Sequence, residues 1–233
     1  VEALRLSLSP YILKETILSV KVKLSKLVSA KGTTRQPDLA KKTEFETKLK
    51  KQTIVDLRRR SKNLIFDLSD GSRILVHLKM SGQLVFGPKD SIDSHNLKTI
   101  STKKPITDKE KSTKEKNRQI SASLIWGGHP IELSEKELPN KHTHIIFELT
   151  NGTLYYNDVR QFGYLLYFPN QKHLDDSGHL DKLGMEPLSQ EFTLEKFQTA
   201  LHKKKGNLKK VFFDQEVVVG LGNIYVDEVC FLA

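Results

Sequence analysis

The string GLGN at positions 220–223 holds residues that could bind a phosphate. Gly220 and Gly222 let the backbone approach a ligand closely. Asn223 suits the N-cap of a helix over NIYVDEVCFLA. Such a helix aims its unpaired N–H groups and the positive end of its dipole at the loop, where an anion would sit. Lysines 203, 204, 205, 209 and 210 lie just upstream. Gly-x-Gly-Asn alone describes an ordinary helix start after a tight turn at least as well. A second stretch, HLKMSGQLVF (77–86), puts Met80 at a corner between the strand formers RILV and the strand breakers Ser81 and Gly82. A flexible thioether at such a corner either fills a core or is offered to a partner.

The whole chain must supply the frame for these residues. It has 233 residues, 37% of them hydrophobic, enough for one large domain or two ordinary ones. Lysine and arginine total 38 against 28 acids, a formal charge of +10. That balance suits a polyanion, with nucleic acid ahead of an anionic membrane, although a lysine-rich solvated surface gives the same number. No apolar run reaches the ~18 residues that read as a membrane span. The single cysteine, Cys230, excludes an internal disulfide framework and a multi-cysteine zinc site within these residues. The start, VEALRLSLSP, lacks the features of a signal peptide. A reducing, intracellular compartment is expected.

The hydrophobic pattern divides the chain. Ala3, Leu4 and Leu8 are near helical spacing, and Pro10 is expected to stop or bend that helix. TILSVKVKLSKLVSA alternates as a half-buried strand does. TIVDLRRRSKNLIFDL and SRILVHLKM read as a hairpin with its turn at Asp70-Gly71, and HTHIIFEL and TLYYNDV as another with Asn151-Gly152 at its turn. GYLLYF continues as a strand. Residues 88–125 carry nine basic and five acidic side chains and few large apolar ones; a disordered or loosely held insertion is expected there. Residues from GGHP to 140 read as loop. Residues 189–204 have helical periodicity with Leu194, Phe197 and Leu201 on one face, and NLKKVFFD reads as a short helix. The expectation is an α+β chain: a β-rich domain over 1–170, a β-sandwich with an N-terminal helix, and a helical domain over 188–233.

LGMEPLSQEF and KKKGNLKKVFFDQEVVVGLGNIYVDEV together resemble the helix–two-turns–helix domain of the formamidopyrimidine-DNA glycosylase family. The resemblance continues upstream in RRRSKNLIFDL, LVHLKMSGQL, NDVRQFGYL and KHTH. It covers most of residues 1–87 and 140–233. It implies that Asn223 and Lys204 grip the DNA backbone, that Lys62 is the active-site lysine, and that His77 and His142 lie near the backbone. It also implies that Met80, Arg160 and Phe162 are the intercalating residues. An enzyme working on a base must take it out of the stack, at a cost of a few kcal/mol. A methionine adapts to the gap, a phenylalanine wedges between bases and an arginine can donate to the widowed base. Singly, each residue reads as readily as core filler or a solvated cation; three blocks in the right order do not.

What the resemblance implies is base-excision repair of damaged duplex DNA by a monomer, in the bacterial cytoplasm and associated with the nucleoid. Oxidised purines, 8-oxoguanine and formamidopyrimidines, are removed by attack of an N-terminal proline amine on C1′, and β,δ-elimination then nicks the strand. A glutamate beside that proline serves in acid–base steps. The family begins Pro-Glu-Leu-Pro-Glu-Val-Glu; this chain begins Val1-Glu2, matching the last two. Val1 would stand about five residues, roughly 7 Å of helix, too late. A C-terminal zinc finger with four cysteines is also expected only beyond these residues, so no cofactor is expected within them. Both ends are expected to be truncated, leaving weak DNA binding without turnover. Lys79 stands where the family has glycine, Val159 where proline is common and Gln161 where arginine is common. Two alternatives stay open: a lesion- or structure-binding protein without catalysis, and an RNA-associated basic protein, the latter weakened by the lack of a paired-aromatic RNA motif.

Overall fold

The computed structural model describes residues 1–29, 36–89, 125–128 and 138–232. Apart from its ends, the insertion expected at 88–125 lies outside the described residues. Helix α1 (Glu2–Ile12) is followed by β1 (Ile17–Val22), a 3-10 turn (Ser25–Val28) and α2 (Leu39–Leu49). The strands β2 (Ile54–Arg60), β3 (Asn63–Leu68), β4 (Arg73–His77), β5 (Gly82–Pro88), β6 (Ile125–Gly128), β7 (Thr143–Leu149), β8 (Gly152–Asp158) and β9 (Tyr164–Phe168) come next. The helices α3 (Gln171–Asp175), α4 (Leu194–His202), α5 (Leu208–Phe213) and α6 (Asn223–Leu232) complete the order.

The strands form two antiparallel sheets, β1-β7-β8-β5-β6 and β2-β3-β4-β9. Their inner faces share one core. Val20, Val22, Leu84, Phe86, Ile145, Phe147 and Tyr156 come from the first sheet, and Leu57, Leu64, Phe66, Ile74, Val76 and Leu165 from the second. Leu4, Leu8 and Ile12 of α1 and Phe45 and Leu49 of α2 close it. Each such side chain contributes about 1.5–3 kcal/mol by leaving water. This is the expected α+β architecture with a β-sandwich. Strand β3 is buried at all six positions, because Ile65 joins Leu75, Tyr164, Leu166 and Leu174 in a second core on the outer face. A third core, Val211, Val217 and Val218 with Phe192, Phe197 and Leu201 against it, holds the helical part.

Four local readings are corrected. Helix α1 runs through Pro10 to Ile12. The carbonyl left without its N–H partner four residues earlier is that of Leu6, whose side chain is exposed, and buried Leu4, Leu8 and Ile12 hold the helix on the core. The stretch 53–68 is two strands, not one, broken by a turn at Ser61 and Lys62 where Ser61 has φ 57°. The apolar–polar pattern crosses that turn without a glycine or proline to mark it. Residues 125–128 pair with β5, so Gly127 and Gly128 belong to a strand and not to a loop. Helix α4 begins at Leu194, capped by the Thr193 hydroxyl, which accepts from Lys196 N–H at 3.3 Å, and not near Ser189.

Candidate nucleic-acid interface

Strand register gathers the expected site residues at one end of the four-stranded sheet. Asn63 pairs with His77, and His77 with Tyr164. The Ser61–Lys62 turn, the 78–81 turn and the 159–163 loop therefore all leave the same edge. Met80 is 60% exposed and Phe162 49%, so neither is core filler. Arg160 Nη1 lies 3.0 Å from Met80 Sδ, and its guanidinium sits 4.7 Å from the centre of the Phe162 ring. Three side chains from two chain segments thus form one outward cluster, apolar with a single cationic donor. Lys79, on the same turn, holds φ 53°, a conformation that favours glycine, which explains why a glycine suits that place in the family pattern.

Lys62 stands at the tip of the β2–β3 hairpin and donates from Nζ to the Leu221 carbonyl at 2.6 Å. Its ammonium also lies 5.9 Å from the Phe213 ring centre. Burial pushes its pKa below the ordinary lysine value, and the charge of Lys79 pushes the same way. The hairpin is tied to the helical part by Glu186, whose carboxylate accepts from Ser61 N–H at 2.6 Å, Arg59 at 2.8 Å and Arg60 at 3.3 Å. Burial alone would raise the Glu186 pKa; the Ser61 N–H and the two arginines hold it below the usual carboxylate value. Arg60 also donates to the carbonyls of Leu183 and Gly184. Arg59 bonds Glu2 at 2.9 Å, bringing the start of α1 beside the Lys62 turn.

Gly220 holds φ 86°, and its N–H donates to Gln215 Oε1 at 2.9 Å. Gln215 Nε2 reaches the Leu221 carbonyl at 3.0 Å. The first α6 hydrogen bond runs from Val226 N–H to the Gly222 carbonyl, so Gly222 fills the cap position and Asn223, exposed, is the first helical residue. This corrects the capping role expected for Asn223, which is the exposed first residue of the helix. Lys204 is paired with Asp214 at 2.9 Å and Glu216 at 3.0 Å, and these hydrogen bonds, Asp214 first, raise its pKa. A phosphate there must displace those carboxylates.

His77 Nδ1 accepts from Lys79 N–H at 3.0 Å, so the neutral ring carries its proton on Nε2. The ring lies 5.4 Å from that of Tyr164. His142 is half-buried, and its carbonyl accepts from Asp158 N–H at 3.0 Å. Both histidines therefore border the wedge end of the sheet. Four residues that sequence reasoning did not single out organise the site: Ser81, Asp158, Glu186 and Gln215. All four lie inside the quoted motifs, but each has a partner remote in sequence: Ser81 meets Asp158, Glu186 meets Ser61, and Gln215 Oε1 accepts from the Ser61 hydroxyl at 3.4 Å.

The family model for the formamidopyrimidine-DNA glycosylase N-terminal domain matches residues 1–165, and that for the family's H2TH domain matches 183–233. The chain belongs to the formamidopyrimidine-DNA glycosylase family. Among its relatives, the formamidopyrimidine-DNA glycosylase of Carboxydothermus hydrogenoformans is 31% identical over 233 residues, all of this chain and 64% of its own length. That of Cytobacillus firmus is 33% identical over 235 residues, again all of this chain and 65% of its own. The chain thus spans just under two thirds of the length of the curated relatives it matches. A complex of the Lactococcus lactis family member with abasic-site DNA matches with a TM-score of 0.67 at 25% identity, covering 99% of this chain and 64% of that one. The same protein with Fapy-dG DNA matches equally, covering 66% of that chain. The described residues contain no helix long and apolar enough to cross a membrane.

The family resemblance implies zinc. Among the described residues no three His, Cys, Asp or Glu side chains converge on a metal position, and Cys230 is the one cysteine. The described residues therefore do not fit a zinc site.

Proposed function

We propose that this chain is the damage-recognising and strand-gripping part of a DNA glycosylase and AP lyase that removes oxidised purines from duplex DNA. The observation that carries the reading is the exposed Met80–Arg160–Phe162 cluster at the same end of the sheet as Lys62, which itself reaches the Gly220–Asn223 loop at Leu221. An extruded nucleotide leaves a hole in the stack. The thioether and the phenyl ring fill apolar space there, and the guanidinium donates to the base left unpaired. Asn223 and the N–H groups at the start of α6 take a backbone phosphate, with Lys204 adding charge once freed from Asp214 and Glu216. His77, through its Nε2 proton, and His142 contact the strand nearby. The substrate is 8-oxoguanine or a ring-opened formamidopyrimidine.

The reaction belongs to the whole protein. The amine of the family's N-terminal proline forms a bond to C1′ and gives up its proton, and the base departs with the electrons of the glycosidic bond and gains a proton. The C1′–O4′ bond then breaks, O4′ takes a proton as the sugar ring opens, and C1′ is left as an iminium. The iminium acidifies a C2′ proton; its removal expels the 3′-phosphate, and a second elimination expels the 5′-phosphate. Lys62 contributes a cation near the reacting phosphate and, with its pKa lowered, a site for proton transfer. A monomer acting at the bacterial nucleoid is consistent with bacterial relatives.

The test is borohydride trapping on an 8-oxoguanine duplex, using protein in which the family's Pro-Glu-Leu-Pro-Glu precedes Val1. A covalent adduct on the N-terminal amine is expected. A duplex left free of adduct, with the protein folded and bound, rejects the catalytic reading in favour of lesion binding alone.

A further inference from the structure

We propose that Asp158 and Ser81 are positioning residues that lock the Met80 turn to the Arg160–Phe162 loop, so that the three side chains enter the duplex as one rigid wedge. The inference rests on the wedge reading above and deepens it. The two segments lie about eighty residues apart in sequence, and the contact that joins them below the surface is a chain of hydrogen bonds. Arg160 N–H donates to Ser81 Oγ at 3.0 Å, and Ser81 Oγ donates to Asp158 Oδ1 at 2.5 Å. The other carboxylate oxygen, Oδ2, accepts from Gly163 N–H at 2.8 Å and from the Tyr156 hydroxyl at 3.1 Å. Asp158 and Tyr156 are wholly buried and Ser81 is 2% exposed.

Asp158 is fastened through its main chain as well. Its N–H donates to the His142 carbonyl, and its own carbonyl contacts His144 Nε2 at 2.9 Å. Among the described residues no cation is paired with this carboxylate. A buried carboxylate held by directional donors contributes less to stability than apolar packing of the same volume would. What it does supply is direction: one oxygen fixes the start of the Arg160 loop through Ser81, and the other fixes its end at Gly163. Long side chains presented by floppy turns lose rotamer and loop freedom on binding, and presetting them removes that cost. Asp158 is too deep to touch DNA, so it acts only through the residues it holds.

The test compares this chain with its Ser81→Ala and Asp158→Asn variants. The readout is the affinity for a duplex carrying a tetrahydrofuran abasic analogue, divided by the affinity for the same duplex undamaged. Thermal stability is measured alongside. The expected result is a loss of roughly tenfold in that ratio, equal to about 1.4 kcal/mol, while affinity for undamaged duplex stays within about twofold because phosphate contacts are untouched. A lowered melting temperature with an unchanged ratio would mean a purely structural carboxylate and overturns the proposal. Should neither variant fold, Tyr156→Phe, which deletes one donor and keeps the ring, decides in the same way. The triple variant Met80→Ala, Arg160→Ala, Phe162→Ala separates the two levels. If it leaves the ratio intact, the wedge reading itself is wrong; if it collapses the ratio and the Ser81 and Asp158 variants do not, only the lock is wrong.

Discussion

The wedge and the phosphate grip are built by opposite means. The wedge presents exposed, mostly apolar side chains on turns fixed from beneath by the buried Asp158, Ser81 and Tyr156. The grip presents polar and charged groups, fixed by half-buried contacts between the sandwich and the helical part: Lys62 to Leu221, Ser61 and Arg60 to Glu186, and the Ser61 hydroxyl to Gln215. A group that must push between bases needs a stiff base, since any give in the turn weakens the push. A group that meets a phosphate can rely on long-range charge and can exchange partners, as the proposed grip requires of Lys204, now paired with Asp214. The two regions should therefore respond differently to steric, acid and salt perturbation.

The largest effect is expected at Gly163. A Cβ there would lie 1.8 Å from the Tyr156 hydroxyl oxygen and 3.0 Å from the Asp158 carboxylate. Gly163→Ala should cost about 3 kcal/mol or more in urea unfolding, and adding Tyr156→Phe should recover more than half. An unaffected midpoint would show that the wedge is soft and would break the comparison. Next comes the grip. Glu186→Gln weakens charge-assisted bonds to Ser61, Arg59 and Arg60 and should cost about 2 kcal/mol at neutral pH. Because the folded protein holds this carboxyl below its reference value of 4.5, its contribution is fully present above that pH. It is lost as pH falls from about 4.5 through the lower folded value. The Gln variant should show a shallower loss of stability over that acid range; identical acid unfolding curves would rule out Glu186 as the tie between the two parts.

A smaller change sharpens the wedge side. Lys79→Gly releases a left-handed backbone that costs a side-chain-bearing residue about 1–2 kcal/mol, against the greater chain entropy of glycine. A net gain of about 0.5 kcal/mol in unfolding is expected, and a loss would mean that the Lys79 side chain over Tyr164, 5.8 Å away, contributes more than the strain removes. The least effect on folding is expected for Lys204→Met, since that side chain lies at the surface. Its signature is in DNA binding: the slope of log affinity against log salt should fall in magnitude by about 0.9. An unchanged slope would place Lys204 outside the phosphate contacts.

The hairpin turn at Asp70-Gly71 was legible because its chemistry is local, with Gly71 at φ 85°; the other was read one residue late, because Leu149 pairs with Gly152 and the turn residues are Thr150 and Asn151. Met80, Arg160 and Phe162 were grouped by resemblance alone; the structure brings them together, and the exposure of Met80 removes its reading as core filler. The Ser61–Lys62 turn was not legible, because Ser61 takes a positive φ that its type does not advertise and the apolar pattern of 54–68 runs through it. That error made Lys62 a strand residue when it is a hairpin tip reaching Leu221. Ser81, Asp158, Glu186 and Gln215 escaped for a different reason. Ser and Asp are ordinary turn residues and Glu and Gln ordinary surface ones, and only folding shows that Ser81 meets a residue 77 positions away and Glu186 one 125 away.

The central claim is that Met80, Arg160 and Phe162 fill the space vacated by a displaced nucleotide. The most direct measurement places a fluorescent base analogue opposite the lesion and follows its unstacking on binding, with the native chain and with all three residues changed to alanine. The account predicts a clear fluorescence change with the native chain on damaged duplex and almost none with the triple variant, at concentrations where both are bound. Equal signals from the two proteins would contradict it.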